Sequence, residues 1–372
     1  MNPAFDLAVI GGGVMGCSAA IRAAEGGMRV VVVEQAALGS GASGVNAGTM
    51  SLQIKRVRLM PYALRGHAWW MAAGEAVGFR TTGGCTVAFT DREAEHLEKL
   101  MAQKAQAGSP VRMISTAEIA AREPGLSRRV VAASWCDADG YANSSLTGTY
   151  FRLLLRGAGI VVHEHTRAVA IERTDQGFSV ATAKGRIEAR RLLLACGAWL
   201  EPVAAMIGVA LKLRVRINIV SVTERLAPIV HAVIGHATGL LTLKQKDNGT
   251  VLIGGGWQGH GTPAEGRGEV DVEALRHNLQ LAQFAVPGIA GARILRAWTG
   301  FEPNTPNFYP LAGAAPGVPG AFILGCVRGG YTIGPYIGRL MGDLILDREP
   351  EMPLFDPARL TEPNATNQEA TS

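Results

Sequence analysis

"FDLAVIGGGVMGCSAAIRAAEGGMRVVVVEQ", residues Phe5 to Gln35, joins an apolar run, three consecutive glycines, a small-residue stretch and a second apolar run. Glycine costs backbone entropy, so a triplet marks a tight turn or a close approach to the main chain. Leu7 to Ile10 reads as a buried parallel strand. Gly11, Gly13 and Gly16 supply G-x-G-x-x-G, and "CSAAIRAAEGG" runs on at helical spacing to a stop at Gly26 and Gly27. "MRVVVVE" reads as a second buried strand closed by Glu34, about twenty residues past the glycines. Together these parts form a dinucleotide-binding βαβ unit. Gly11 makes the turn, Gly13 leaves space for a pyrophosphate, and Gly16 lets helix and strand pack closely. Val14 and Met15 open the helix, whose N-terminal N–H groups and dipole favour phosphate. Glu34, followed by Gln35, accepts hydrogen bonds from ribose hydroxyls and disfavours a 2′-phosphate.

Working outward, 372 residues are long for one core, so two domains are expected. The chain is 48% hydrophobic and 18% charged, which excludes a mainly disordered protein. Its net charge of +5 is scattered, with no basic stripe interleaved with aromatics, so no nucleic-acid partner is expected. The five cysteines (Cys17, Cys85, Cys136, Cys196, Cys326) are widely spaced without CxxC. That pattern argues against a disulfide framework, a zinc site or an iron–sulfur cluster. No apolar stretch reaches the roughly 20 residues of a membrane span. With no cleavable leader visible, a cytoplasmic protein is expected. The polar segment "TEPNATNQEATS", 361–372, reads as a flexible tail.

Glu34 is followed not by an immediate crossover helix but by "QAALGSGASGVNAGTM", Gln35 to Met50, a small-residue loop able to lie along an extended cofactor. Its "GASGVNAGTM" portion resembles the flavin-side loop of the D-amino acid oxidase superfamily, which contains glycine and sarcosine oxidases. "RLLLACGAWLEP" (Arg191 to Pro202) is similar to that family's strand returning to the cofactor. "GFEPNTPNFYPLAG" and "GAFILGCVRGGYTIGPYIGRLMGDLILD" (within Gly300 to Asp347) resemble its Thr-Pro loop, strand, glycine turn and final helix.

The resemblance implies an α/β fold of glutathione-reductase-like type: a Rossmann-like FAD-binding domain (1–55, 140–211, 296–360) interleaved with an antiparallel-sheet substrate domain (56–139, 212–295). It implies non-covalent FAD held by Gly11, Gly13, Val14, Met15, Gly16, Glu34, Gln35, Ser43, Asn46, Ala47, Gly48, Met50, Val169, Gly197, Trp199, Arg328, Gly329, Gly330, Tyr331 and Thr332. Val169 stands where the family contacts adenine through its backbone. Gly300 replaces the cysteine through which monomeric sarcosine oxidases attach flavin. The final helix has physical sense of its own, because its N-terminus could stabilise charge on the reduced ring.

On the substrate side, Arg328 in "GCVRGGY" matches the arginine that grips a carboxylate in glycine oxidase-like relatives, and guanidinium geometry suits that task. Tyr331 and Trp257 are further positioning residues. Glu302 stands where many relatives carry arginine; it would meet a cationic substrate part or serve in a surface ion pair. His163 and His165 form H-x-H in a β-run, but no further ligands complete a metal site.

The implied reaction is oxidation of the C–N bond of a small carboxylated amine: a D-amino acid, N-substituted glycine, opine or imino acid. "SLQIKRVRLMPYALRGHAWW" brings the chain closer to the β-subunits of opine oxidase and D-hydroxyproline dehydrogenase, which implies possible electron-accepting partner subunits. Two alternatives stand open: a 2-hydroxy acid substrate, and a flavin-bearing subunit inactive without partners.

Overall fold

The computed structural model describes residues 4–360, and the tail expected at 361–372 lies outside them. The chain forms two compact units, one of Met1–Val45, Ser145–Arg216 and Phe301–Ser372, the other of Asn46–Ser144 and Ile217–Gly300. Segments 46–55 and 140–144, expected in the cofactor domain, thus belong to the second unit. The cause is local pairing: Thr49 and Met50 lie in register with Tyr141 and Gly140. Buried Asp139 also accepts the Ser51 hydroxyl at 2.5 Å and the Leu52 N–H at 2.7 Å.

In the first unit, Phe5–Ile10 is flanked by parallel partners, Val30–Val33 on one side and Gly185–Leu194 on the other. Val161–His163 extends the first side, and Ala321–Gly325 pairs parallel with Leu192 to Leu194. The 10-residue strand Gly185–Leu194 serves two arrangements. Its opening half closes an antiparallel meander with Gly177–Thr182 and Ala168–Thr174, and its apolar end enters the parallel sheet. The four valines Val30–Val33 are all buried, as a strand covered on both faces requires.

One side of this sheet carries the Val14–Glu25 helix and, against it, the Gly330–Ile345 helix. They run parallel, and glycines make the seam. A Cβ on Gly334 would meet Val14 Cγ1 at 3.0 Å; on Gly338, Met15 O at 2.6 Å; on Gly342, Arg22 Cβ at 2.5 Å. Arg22 Nε donates to Asp343 Oδ1 at 2.7 Å at the far end of the pair.

The second unit holds an eight-stranded sheet ordered Ile294–Asn304, Arg214–Arg225, Thr250–Gly254, Thr242–Gln245, Val233–His236, Gly84–Ala88, Ala132–Cys136, Val111–Ile114. The unit boundaries fall inside its first two strands. The expectation of a purely antiparallel sheet needs correction: Val233–His236 runs parallel to Gly84–Ala88. These strands come from distant segments, so no hairpin dictates their relative direction. Asp247, Asn248 and Gly249 lie in the hairpin turn that joins Thr242–Gln245 to Thr250–Gly254. Helix Asp91–Gln106 opens on a capping box between Thr90 and Glu93. Leu243, Val251 and Ile253 join Ala282, Ala285 and Val286 in the core.

The glycine seam yields a stability test. Gly338→Ala drives a Cβ into a backbone carbonyl and is expected to lose about 1–3 kcal/mol, despite a helix-propensity gain of about 1 kcal/mol. Gly157→Ala, on a helix where a Cβ meets nothing within 4 Å, is expected to be neutral or stabilising. Urea unfolding of both variants reads the difference.

Candidate functional site: a dinucleotide crevice in the first unit

The opening glycines divide by what surrounds them. Gly11 has φ 110°, and a Cβ there would lie 2.3 Å from Ala195 O. A Cβ on Gly16 would lie 2.3 Å from Gly11 O. The fold itself demands both. Gly13 is different: its Cβ would meet only Ser43 Oγ, at 3.2 Å, so its missing side chain leaves space ahead of the helix.

That helix begins without an acid in its first turn and without a side-chain cap from Gly13. Ser43 Oγ accepts the Val14 N–H at 3.0 Å. Among the described residues no acceptor meets the amides of Gly13, Met15 or Gly16. A helix start with open amides and no nearby carboxylate in its first turn suits a diphosphate. Ser43 sits on a helical turn, Ala42–Val45, within the small-residue loop. The turn reaches the helix start because Gly39 N–H donates to Gly12 O at 2.9 Å.

Glu34 ends its strand as the sequence indicates. Its carboxylate accepts the Gly12 N–H at 2.7 Å and the Ala36 N–H at 2.8 Å, one on each oxygen. A carboxylate has about four acceptor positions, so two hydrogen bonds fix its orientation and leave capacity for a ribose diol. Gln35 is exposed beside it. Thr166 N–H donates to Glu34 O and His165 N–H to Ala36 O, both at 2.8 Å. Segment 165–166 therefore lies against this corner. Val169, three residues on, is 58% exposed, so its side chain is not used in packing. These features together fit the adenosine diphosphate portion of a dinucleotide.

The closing helix starts at the same end of the sheet. A Cβ on Gly330 would lie 3.4 Å from Met15 Cε, so the two helix starts are neighbours. Cys326 (φ 62°) and Gly329 (φ 72°) bend the chain between strand and helix, and Arg328 between them is exposed. Thr332 is wholly buried. Gly197 adopts φ 55°, and Trp199 meets Phe301 edge-on at 5.8 Å.

Two of the expected substrate-side residues have protein partners. The Tyr331 hydroxyl lies 2.8 Å from Thr147 Oγ1, and burial raises its pKa. The second residue of the closing helix, Tyr331, thus meets the start of the Thr147–Gly157 helix through its hydroxyl. Glu302 is neither a plain surface ion pair nor only a substrate group: its Oε1 accepts the N–H of Gly329, the helix N-cap, at 3.2 Å. An anion at a helix start is favourable there.

Sequence reasoning missed Arg216. It lies in the same unit, half-buried at the start of Arg214–Arg225. Burial first, then the like charge of Arg328, lowers its pKa, while Glu302 opposes the fall. Arg216 thus feels the charges of both Arg328 and Glu302. The only sequence signal was an arginine beside the apolar "INIV" run.

The remaining proposed flavin-loop residues belong to the second unit. Gly48 has φ 68°, and a Cβ there would come 2.0 Å from Ala142 O. Asn46 Oδ1 accepts the Gly48 N–H at 2.7 Å, and Ser144 Oγ donates to Asn46 O at 2.6 Å. Ala47, half-buried, lies between them, and Met50 is wholly buried. Trp257 donates from Nε1 to Leu240 O at 2.8 Å and stacks on His277 at 5.8 Å.

His163 ends a strand whereas His165 leaves it with φ 51°, so strand alternation does not pair them. No cluster of metal-ligating residues occurs among the described residues. Burial pushes the Cys17, Cys196 and Cys326 thiols well up, which makes them poor nucleophiles. No helix among the described residues is long and apolar enough to cross a membrane.

Comparison with known proteins agrees with this geometry. The chain is 26% identical over 362 residues to glycine oxidase of Geobacillus kaustophilus (strain HTA426), covering 94% of this chain and 95% of that one. It is 26% identical over 339 residues to an opine oxidase subunit of Rhizobium meliloti, covering 87% and 89%. Among solved structures, the fold matches L-proline dehydrogenase from P. horikoshii with a TM-score of 0.88 at 23% identity, over 97% of this chain and 99% of that one. Residues 6–344 match the DAO family, described as FAD dependent oxidoreductase, and the chain belongs to that family.

Proposed function

We propose that this chain binds FAD non-covalently and oxidises the C–N bond of a small carboxylated amine. The observation that carries the cofactor reading is the pair of neighbouring helix starts beside Glu34, with the open Gly13 side and first-turn amides facing no protein acceptor. In this reading Gly13, Met15 and Gly16 hold the diphosphate and Glu34 holds the ribose. The Gly329–Thr332 turn serves the other end of the cofactor. Bound FAD supplies the two-electron acceptor that takes a hydride from the carbon bearing nitrogen.

The chain's own task is then orientation. The substrate nitrogen gives its proton to solvent as the hydride leaves, and water hydrolyses the resulting imine. Arg328 is exposed, and its guanidinium can take a substrate carboxylate as a bidentate partner. Arg216 offers a second cation. Glu302 accepts the Gly329 N–H next to Arg328 and favours the charged form of Arg216. The names of the glycine oxidase and opine oxidase relatives support an amine or amino-acid substrate. That the opine oxidase relative is one of several chains supports a partner chain as electron acceptor.

Reconstitution with FAD is expected to give flavin absorption bands, and one carboxylated amine from a panel of opines, sarcosine, glycine, D-proline and D-hydroxyproline is expected to bleach them without oxygen. Bleaching by 2-hydroxy acids alone would replace the amine reading. Arg328→Ala is expected to raise the half-bleaching concentration at least tenfold, and an unchanged value would reject its role. Gly13→Ala is expected to keep the apo-protein melting temperature and weaken FAD at least tenfold. Gly16→Ala, with its Cβ against Gly11 O, is expected to lower the melting temperature itself.

A further inference from the structure

His236 ends the strand Val233–His236 of the second unit, and its side chain is only 7% exposed. The chain then turns through 237–241, and the ring holds that turn from inside. Nδ1 accepts the Gly239 N–H at 2.5 Å and the Thr238 N–H at 3.2 Å. A ring nitrogen that accepts N–H groups carries no proton, so the imidazole is neutral with its hydrogen on Nε2. Nε2 lies 3.5 Å from Glu93 Oε1. The fit is close: a Cβ on Gly239 would come 2.7 Å from Nδ1.

Glu93, on helix Asp91–Gln106, is the charged group that acts on the ring. Its Oε1 also accepts the Thr238 hydroxyl at 2.8 Å. The other neighbours are aromatic. Phe89 stacks on the imidazole at 5.4 Å, and Phe284 of helix Val272–Ala285 meets Phe89 at 4.7 Å. Arg129 lies over Phe284 at 5.5 Å, and His277 of the same helix stacks on Trp257. Burial lowers the His236 pKa below its ordinary 6.5, and Glu93 opposes that fall. Burial pushes Glu93 the other way, yet the Phe89 N–H, the Thr238 hydroxyl, His236 and the Thr90 N–H together hold its carboxyl below the usual range. Glu93 therefore stays ionised while His236 titrates.

The turn in its turn positions Trp257. Leu240 O accepts the indole N–H at 2.8 Å and the Asn278 amide at 3.3 Å. Gly255 passes beside that carbonyl, where a Cβ would come 2.2 Å from Leu240 O.

We propose that His236 is a proton-operated latch on the 237–241 turn, closed while the ring is neutral and released when Nδ1 takes up a proton. Protonation converts Nδ1 from acceptor to donor, so it opposes the Thr238 and Gly239 N–H groups together. The imidazolium keeps Glu93 as a partner, so the ring stays while the turn lets go. The sign follows from the lowered pKa. Above pH 6.5 the latch contributes in full; below it the opened turn takes the proton more readily than the closed one, and the contribution is lost. Acid thus loosens the carbonyl that holds Trp257.

The test is hydrogen exchange of the full chain, read by mass spectrometry as protection corrected for the intrinsic pH dependence of exchange. Protection of segment 237–241 is expected to fall at least fivefold from pH 7.5 to pH 5, with the Val251–Ile253 amides of the same sheet unchanged. His236→Asn places a neutral acceptor near the position of Nδ1 and is expected to keep protection level over that range. His236→Phe keeps the ring stack without an acceptor and is expected to show the low value at both pH values. If one of these variants does not fold, the other decides. His277→Gln is expected to leave the wild-type fall intact. A flat wild-type profile, a fall shared by 251–253, a fall retained in His236→Asn or abolished in His277→Gln, or full protection in His236→Phe at pH 7.5 overturns the proposal.

Discussion

The first unit depends on one close contact: the parallel packing of the Val14–Glu25 helix against the Gly330–Ile345 helix. Gly334, Gly338 and Gly342, one per turn, remove the side chains that would hold the helices apart, so backbone and Cβ atoms touch along the seam. Close parallel packing puts both helix starts at one end of the sheet, past the carboxyl ends of Phe5–Ile10 and Ala321–Gly325. Crevices at that end of an open parallel sheet are where such folds bind ligands. The Arg22–Asp343 pair, only partly exposed, closes the opposite end of the seam.

From this arrangement the electrostatics follow. Two positive helix ends side by side would repel each other's charge unless an anion lies near them. Glu302 provides one such anion at Gly329. The opening helix has Ser43, a neutral acceptor, at Val14 and no acid in its first turn. The division makes chemical sense for a DAO-family protein: protein acid at one helix start, room for ligand phosphate at the other. Glu302 also favours the charged form of Arg216, so changing that acid would alter one cation and one helix cap together.

The second unit solves a different problem. Its 46–53 segment is fastened by buried polar groups as well as by the buried Met50 and Leu52 side chains. Asp139 takes Ser51 and Leu52, and Gln53 donates to Gly84 O at 2.7 Å while Lys104 donates to Gln53 O. Such a network is costly to assemble but specifies one conformation when its members are satisfied.

The sequence by itself determined the βαβ opening, because strand, glycine turn, helix, strand and acid are local features whose periodicities and steric needs are written in neighbouring residues. It also marked the glycine turn before the final helix, again a short-range feature. Only the tertiary structure decided that 46–55 joins the second unit, that one strand pair there is parallel, that the Tyr331 hydroxyl meets Thr147 and that Glu302 caps Gly329. It alone brought Arg216 within electrostatic reach of Arg328. Each of these is a meeting of residues far apart in the chain. Side-chain direction and partner identity at such distances depend on how whole elements pack, and no local pattern records that.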